Sequence, residues 1–263
     1  MPILAEGCKP SRYLQDFDEL RMLGKGSFGT VHLARSRTDG CLYAIKRSNA
    51  DLKSEREKRE ALREVFAMAA LAGDLLRPRT KNVVRYHNAW LENQQLHIQM
   101  EVCECTLHEK FVAAHVRVEE ATLVAVLHQI GKALRTIHAR GLAHLDVKPD
   151  NIYCKQGRFL LGDFGLAFAQ KTLSEGVEPM EGDGRYASPE VIQGFSQLAP
   201  CDIYSLGATV LELALEKRLT LSDGDYKEIR AGAAVQLPSR SSELCGEGLG
   251  RRRRISYVTL QTC

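Results

Sequence analysis

The sequence predicts an α+β fold, with strands and a single helix in about the first hundred residues and mainly helices in the remainder. Two observations predict it. Apolar and polar residues alternate along residues 17–47 and again along 83–102, which is the period of half-buried strands. From Glu119 onward the apolar residues recur at steps of four and three, which is the period of an amphipathic helix.

In the N-terminal part the pattern predicts five strands. A Gly-rich stretch and the turn Asp39-Gly40 divide residues 17–47 into three antiparallel strands. Residues 83–90 and 95–102, separated by a short polar segment, form a further hairpin.

A helix is predicted over residues 54–72, between the third strand and that hairpin. Ser54 and Glu57 have the spacing of a capping box, which marks the start of a helix. The apolar residues expected on its buried face are Leu62, Val65, Phe66 and Ala69.

The remainder of the chain is predicted to be mainly helical. A second strong helix covers 199–216, with Asp202 in its first turn, where the helix dipole favours an anion. Residues 225–230 suggest a short third helix. Beyond Pro238 no periodicity remains, so we expect a flexible tail over 239–263 with at best a lone strand at 255–260. The long helix begins near Glu119 and carries an apolar stripe of Leu123, Leu127, Ile130, Leu134 and Ile137.

Length, charge and terminal sequence narrow the functional class. The chain has 263 residues, 44% hydrophobic and 26% charged, which suits one globular domain or one two-lobed domain. Its net charge is +3, and Arg251–Arg254 supply four of the 36 positive residues, so the rest is close to neutral. We therefore expect no nucleic-acid partner and no membrane partner. The start of the chain lacks a secretory pattern and no apolar run reaches roughly 20 residues, so we expect an intracellular protein.

The eight cysteines are scattered along the chain, which predicts reduced thiols rather than a disulfide framework. Cys103 and Cys105 form a C-x-C pair. We interpret them as free thiols in a strand and the turn after it, because no second pair of ligands lies at zinc-site distance.

Residues 24–31 fit the pattern G-x-G-x-x-G-x-V. The glycines lie between two predicted strands, whereas a dinucleotide-binding fingerprint lies between a strand and a helix, and no G-K-[ST] follows as in a Walker motif. The pattern therefore favours a loop whose backbone amides cover nucleotide phosphates. Lys46, at the end of the third strand, is a candidate phosphate-binding amine. We choose Glu64 over Glu57 and Glu60 as the carboxylate that holds it.

The most specific stretch is His144-Leu145-Asp146-Val147-Lys148-Pro149-Asp150-Asn151, followed by Asp163-Phe164-Gly165. Phosphoryl transfer needs a carboxylate at the acceptor hydroxyl, ligands for a phosphate-bridging metal, and cations against developing charge. Asp146 supplies the first and Asn151 with Asp163 the second. Lys148 with Lys46 supplies the cations.

With these motifs in order, residues 17–238 resemble a eukaryotic protein kinase. The resemblance implies a bilobal fold, with a five-stranded antiparallel N-lobe carrying one helix (about 17–101) and a mainly helical C-lobe (about 104–238). It also implies that ATP and Mg²⁺ are the cofactors. It further implies that Asp202 braces the catalytic loop, which is the stretch 144–151. By the same resemblance, the nucleotide-binding residues are Leu23, Gly24, Gly26, Gly29, Val31, Ala44, Lys46, Met100, Glu101, Cys103 and Tyr153.

Several phrases, among them residues 39–48 and 181–186, resemble the Wee kinases, and the wording of 143–153 is most similar to the plant branch. The resemblance implies transfer of phosphate to a tyrosine of a cyclin-dependent kinase, which delays mitosis. It further implies a mainly nuclear, monomeric protein whose partner is that cyclin-dependent kinase.

Two departures from the general kinase pattern have physical content. Leu145 replaces the arginine that would bind an activation-segment phosphate, so we expect activity without phosphorylation of Thr172, Ser174 or Tyr186. Asp183 replaces a threonine. Its carboxylate either engages Lys148 and reshapes the acceptor site for tyrosine, or it only fixes the loop through Arg185 or backbone amides.

The C-terminal part departs further. The D-P-x-x-R-P context expected in the C-lobe is absent, and the chain instead continues into a Gly-rich segment and Arg251–Arg254. The resemblance therefore implies a C-terminally truncated C-lobe. A second function stays open, that of a catalytically inactive isoform that only binds nucleotide or a protein partner.

Overall fold

The computed structural model describes residues 11–26, 29–49, 51–72, 81–174, 179–180, 182–188, 197–216, 235–236 and 254–255. The chain divides into two compact units. The N-terminal unit comprises Met1–Arg79 with Val84–Cys103, and the C-terminal unit comprises Thr80–Val83 with Glu104–Cys263.

The N-terminal unit is built on a five-stranded antiparallel sheet with the strand order β1-β2-β3-β5-β4. Both the three strands predicted over 17–47 and the following hairpin are confirmed. The strands are β1 (Phe17–Lys25), β2 (Gly29–Ser36), β3 (Leu42–Ser48), β4 (Tyr86–Glu92) and β5 (Gln95–Glu101). The helices are the short α1 (Arg12–Asp16) and the predicted long helix α2 (Glu55–Leu71).

The start of α2 follows the predicted capping box. The Ser54 hydroxyl accepts a hydrogen bond from the Glu57 backbone amide at 3.2 Å, and the Glu57 carboxylate accepts one from the Ser54 amide at 2.8 Å. These reciprocal bonds satisfy backbone donors that a helix start leaves unpaired.

The predicted buried face of α2 is partly wrong. Val65 is buried as expected, but Phe66 is 66% exposed and Ala69 is also exposed, while Met68 is 2% exposed. The buried face is centred on Glu64, which pairs with Lys46. Phe66 lies two residues, about 200°, further round the helix and so points away from that face.

One face of the sheet carries an aromatic cluster. Trp90 stacks between Phe17, at 5.8 Å between ring centroids, and His97, at 5.1 Å. Tyr13 joins them from α1, which is held because its amide and the Ser11 hydroxyl both donate to the Glu92 carboxylate. Burial lowers the pKa of His97. Each such large side chain contributes ~1.5–3 kcal/mol through burial. The predicted N-terminal extension, 1–16, therefore supplies part of this core through Tyr13.

The C-terminal unit is mainly helical, as predicted. Its helices are α3 (Glu120–His138), the short α4 (Gln170–Ser174) and α5 (Ala199–Leu215). Its strands form a three-stranded sheet, order β6-β8-β9, and an antiparallel pair, β7 with β10. These strands are β6 (Cys105–Thr106), β7 (Leu142–Ala143), β8 (Ile152–Lys155), β9 (Arg158–Leu161) and β10 (Phe168–Ala169).

The core of this unit lies where α3 packs against α5 and β9. Four residues of the predicted stripe on α3 are at most 8% exposed, namely Leu123, Ile130, Leu134 and Ile137, while the fifth, Leu127, is half-buried. Among the helices that the structure describes, none has the length and apolarity needed to cross a bilayer.

Part of the C-terminal prediction lies outside the described residues, namely the short helix at 225–230 and most of the tail. In the tail, β12 (Arg254–Ile255) pairs antiparallel with β11 (Val235–Gln236). Of the strand expected at 255–260, only its first residue is described, and it lies in a strand that is paired rather than alone.

Candidate active site

The Gly-rich segment joins β1 to β2, and the structure describes it except at residues 27 and 28. The Gly26 amide donates to the Gly29 carbonyl at 2.8 Å, and the Asn49 side chain donates to the Gly26 carbonyl at 2.9 Å. A Cβ on Gly29 would overlap the Arg47 carbonyl, so β3 can approach only a glycine there. A Cβ on Gly24 would meet no atom within 4 Å, so space lies open beside the backbone where a phosphate is predicted.

Strand register places four predicted nucleotide-binding residues on one face of the sheet. Val31 lies opposite Lys46, and Ala44 lies opposite Met100. Ala44 and Lys46 are two residues apart on β3, so all four side chains share a face. The face is opposite to that of Ile45, which packs with the aromatic cluster.

The remaining predicted nucleotide-binding residues of this unit lie near the same strands. Leu23 adjoins Gly24 at an irregularity in the β1–β2 register, and Glu101 lies opposite Tyr43 at the end of β5. Cys103 follows two residues later with a half-buried side chain.

Lys46 is held by Glu64, as predicted. Its Nζ donates to both carboxylate oxygens, at 2.8 and 2.9 Å. The two side chains are only 12% and 9% exposed, so the attraction between their charges is weakly screened by solvent. The alternatives are engaged elsewhere, since Glu57 caps α2 and Glu60 forms an exposed pair with Arg56.

In the C-terminal unit, the Asp146 carboxylate accepts several hydrogen bonds. Lys148 Nζ donates to Oδ1 at 3.0 Å and lies 2.9 Å from Oδ2. Asn151 Nδ2 donates to Oδ2 at 2.7 Å and to the Asp146 carbonyl at 2.8 Å. These contacts fix the orientation of the carboxylate in a segment that is neither helix nor strand.

The backbone around Asp146 is braced by Asp202 on α5. The fully buried carboxylate of Asp202 accepts from the amides of His144, at 2.8 Å, and Leu145, at 2.7 Å. It also lies 2.8 Å from His138 Nε2. The bracing role implied for Asp202 is thus present in the structure.

His144 connects Asp146 with the segment before Asp163. The Asp146 amide donates to His144 Nδ1 at 3.3 Å, so the ring proton lies on Nε2, which is 3.0 Å from the Gly162 carbonyl. The ring is fully buried and packs edge to face with Phe164 at 4.8 Å.

The backbone beside one predicted metal ligand is hydrogen-bonded to the backbone of the other. The Gly162 amide, next to Asp163 in the chain, donates to the Asn151 carbonyl at 2.9 Å. Since Asn151 donates through Nδ2, its Oδ1 is the atom suited to a cation. An amide oxygen and a carboxylate are both oxygen ligands of the kind that Mg²⁺ prefers. Among the described residues no group of three or more His, Cys, Asp and Glu could hold a metal, so a cation here would also need phosphate or water oxygens.

Tyr153, the remaining predicted nucleotide-binding residue, lies on β8 opposite Thr106 of β6. It follows Asn151 by two residues. The C-terminal unit therefore carries Tyr153, the predicted base Asp146 and both predicted metal ligands within residues 146–163.

The two interpretations of Asp183 are separated by its contacts. Arg185 donates to the Asp183 carboxylate through Nε, at 3.0 Å, and through Nη2, at 2.5 Å. Lys148 instead donates to Asp146. Burial would raise the pKa of Asp183, but the hydrogen bonds from Arg185 outweigh this effect and lower it. Of the two alternatives, the contacts favour the one in which Asp183 fixes the loop through Arg185. Lys148 helps lower the pKa of Asp183, but its hydrogen bond goes to Asp146.

Sequence reasoning missed Gly182. A Cβ at this position would lie 2.5 Å from the Leu145 carbonyl oxygen and 3.3 Å from Asp146 Oδ1. The close approach lets the Asp183 amide reach Asp146 Oδ1, at 3.4 Å. The only signal in the sequence is that this glycine directly precedes Asp183.

Leu145 has an apolar role in place of the missing arginine. Its side chain and that of Leu173 on α4 each pack against a buried cluster of Ala143, Phe168 and Leu198. Its φ of 62° lies in the left-handed region, which non-glycine residues adopt at a cost of ~1–3 kcal/mol. The segment that includes α4 is thus joined to the predicted catalytic loop by apolar contacts.

Tyr186, the third predicted position where phosphorylation is not needed, is buried. Its ring is 3% exposed, and its hydroxyl lies 3.0 Å from both carboxylate oxygens of Glu212 on α5. Neither this contact nor that of Gly182 follows from a motif, because both depend on how α5 and residues 182–188 pack.

Comparisons with known proteins agree with these observations. A family model described as "Protein kinase domain" matches residues 17–243. A Wee1-like protein kinase of Arabidopsis thaliana is 41% identical over 93% of this chain and 47% of its own length. One from Oryza sativa subsp. japonica is also 41% identical, over 87% of this chain and 42% of its own length.

A third relative, from Drosophila melanogaster, is described as a membrane-associated tyrosine- and threonine-specific cdc2-inhibitory kinase. It is 36% identical over 84% of this chain and 40% of its own length. The chain thus spans less than half the length of these relatives. The predicted kinase fold and the predicted resemblance to Wee kinases, with plant proteins among the most similar, are confirmed. The chain belongs to the protein kinase family, and the relatives it matches include Wee1-like kinases.

Proposed function

We propose that this chain transfers the γ-phosphate of ATP to a tyrosine of a cyclin-dependent kinase and thereby inhibits the onset of mitosis. The proposal is supported by its similarity to Wee1-like kinases and by the name of the Drosophila relative, which states cdc2 inhibition and specificity for tyrosine and threonine. The cell nucleus is the compartment that we propose for it.

The single observation that carries the proposal is the environment of Asp146. Its carboxylate is oriented by Lys148 and Asn151 while the backbone before it is fixed by buried Asp202. A carboxylate held in this way can accept the proton of a substrate hydroxyl as that oxygen attacks phosphorus. Lys148, 2.9 Å from Asp146, supplies positive charge where negative charge develops.

The other predicted residues bind and orient the nucleotide. Lys46 is directed by Glu64 and binds phosphate oxygens, while the backbone amides of the Gly-rich turn cover them. Asn151 and Asp163 would hold Mg²⁺, which when bound neutralises charge on the phosphates. The apolar face formed by Val31, Ala44 and Met100 suits the adenine ring.

The apolar contacts of Leu145 support activity without phosphorylation of the activation segment. In a kinase with arginine at this position, a phosphate would connect the segment to the loop by charge. Here the connection is apolar, because Leu145 and Leu173 both pack against the cluster that contains Phe168. We therefore expect that no part of the kinase rate depends on a phosphate at Thr172 or at buried Tyr186. Thr172→Ala and Tyr186→Phe test this expectation.

The test uses the full chain with MgATP and an inactive cyclin-dependent kinase as substrate, with phosphotyrosine measured by mass spectrometry. Asp146→Asn should lower the rate at least ~100-fold, because proton acceptance by a positioned side chain contributes ~10²–10⁴-fold. The matched control is Asp18→Asn, which alters an exposed carboxylate of the N-terminal unit and should leave the rate unchanged.

Thermal stabilisation by MgATP separates the alternatives. Wild-type protein and Asp146→Asn should both be stabilised, because Asp146 is proposed to act on the acceptor hydroxyl. A wild-type protein that is stabilised by MgATP but yields no phosphotyrosine would support the inactive, nucleotide-binding isoform and overturn the proposed activity.

A further inference from the structure

Two cysteines of the C-terminal unit face each other across a pair of strands. Cys105 on β6 is the register partner of Cys154 on β8, in an antiparallel ladder that continues with Thr106 opposite Tyr153. Both cysteines are free thiols. The Cys105 side chain lies close enough to Cys154 to help raise the pKa of the Cys154 thiol.

The strand pairing satisfies the reach of a disulfide. Directly opposed residues in an antiparallel pair have Cα atoms about 4.5 or 5.5 Å apart, and disulfides form at Cα separations of ~4.4–6.8 Å. Opposed side chains also leave the sheet on the same side. Cys105 and Cys154 can therefore be bridged without unpairing the strands.

Burial distinguishes the two thiols. Cys154 is 3% exposed, and burial, together with the neighbouring Cys105, raises its pKa to about 12. It is consequently a protonated thiol at neutral pH. Cys105 is only half-buried, so an oxidant in solution reaches it first.

We propose that Cys105 and Cys154 form an intramolecular disulfide when a hydroperoxide oxidises the protein. The Cys105 sulfur attacks the peroxide and its O–O bond breaks, giving a sulfenic acid and, with hydrogen peroxide, one water. The Cys154 thiol then attacks the Cys105 sulfur and passes its proton to the leaving hydroxide, so that an S–S bond forms, the S–O bond breaks and a second water leaves. Both thiols are oxidised by one electron each, and the peroxide takes up both electrons.

The site adjoins the predicted catalytic loop but uses none of its residues. β8 begins directly after Asn151, and the turn Pro149–Asn151 packs against β6. The disulfide would join these two strands covalently. Since its formation needs only the strand pairing, the proposal does not depend on the proposed kinase activity.

Peptide mapping of the full chain tests the proposal. The protein is treated with hydrogen peroxide, its remaining thiols are alkylated, and it is digested with trypsin and a glutamate-specific protease. Cleavage after Glu104 separates Cys103, in residues 102–104, from Cys105, in residues 105–109. The expected product joins the 105–109 peptide to the tryptic peptide 141–155 that contains Cys154, and a reducing thiol removes the link.

Three variants act as controls. Cys105→Ser and Cys154→Ser should each abolish the cross-link, and Cys41→Ser, which alters an exposed cysteine of the N-terminal unit, should leave it unchanged. Cys105→Ser is decisive where replacement of buried Cys154 prevents folding, because Cys105 is half-buried. Peroxide treatment that oxidises Cys105 to a sulfinic acid without cross-linking, or that joins Cys154 to Cys103 instead, overturns the proposal.

Discussion

The two units position their charged groups by different means. In the N-terminal unit, Lys46 and Glu64 lie on a strand and a helix, and a single buried ion pair connects them. In the C-terminal unit, Asp146 lies on irregular backbone that includes a left-handed residue, Leu145. Its position depends on hydrogen bonds from side chains such as Asn151 and on Asp202, which accepts from the backbone amide of Leu145.

The difference shows two ways to make a side chain rigid. A residue on a regular element inherits its position from the apolar packing of that element, so its partner can be lost without displacing it far. A residue on irregular backbone has no such support, and buried polar groups must satisfy the exposed amides. We therefore expect mutations at the supports to affect folding in the C-terminal unit and mainly chemistry in the N-terminal unit.

The largest expected effect is that of Asp202→Ala. The change leaves the amides of His144 and Leu145 buried without their acceptor, and such groups cost ~1–3 kcal/mol each. The free energy of unfolding should fall by roughly 3–5 kcal/mol in urea titrations. Asp18→Ala, which removes an exposed ion pair with Arg37, should cost at most about 1 kcal/mol. Equal losses in both variants would contradict the bracing role.

A smaller effect, on activity, is expected for Glu64→Gln. The amide keeps the shape of Glu64 but no longer holds Lys46 by charge, and misplacement of a catalytic group by about 1 Å can cost ~100-fold. We expect kcat/KM to fall by ~10–100-fold while the fold is retained. Glu60→Gln, on the exposed side of the same helix, should change kcat/KM little. The comparison between the units fails if Glu64→Gln instead unfolds the protein.

The smallest effect is that of Gly182→Ala. The new Cβ would lie 2.5 Å from the Leu145 carbonyl, so residues 182–183 must move and the Asp183 amide must leave Asp146. The expected result is a loss of about tenfold in kcat with little change in the KM for ATP. Gly131→Ala on α3 is the matched control, because a Cβ there meets no atom within 4 Å, and it should stabilise the helix by ~0.5–1 kcal/mol. An unchanged kcat in Gly182→Ala would show that this approach does not position Asp146.

The sequence predicted regular elements and local motifs well because their physical basis is local. The capping box at Ser54, the stripe on α3 and the choice of Glu64 for Lys46 each follow from residue spacing along one element. The error at Phe66 arose because hydrophobicity alone was used to orient α2. An ion pair on its other side determined which face is buried.

Contacts between distant segments could not be predicted in the same way. The approach of Gly182 to Leu145 and the hydrogen bond from Tyr186 to Glu212 join residues 26 or more positions apart, and no local pattern encodes them. The competition of Lys148 and Arg185 for Asp183 was left open for the same reason. Which cation is nearer depends on backbone geometry, and in the structure it is Arg185 that donates to the Asp183 carboxylate.

The aromatic cluster of the N-terminal unit provides a built-in optical probe. Trp90 is the sole tryptophan of the chain, and its indole is stacked between Phe17 and His97. Its fluorescence therefore reports on the sheet alone, whereas far-ultraviolet circular dichroism is dominated by the helices of both units, α2 in one and α3 and α5 in the other. Recording both signals during one denaturation reveals whether the two units melt together or in sequence.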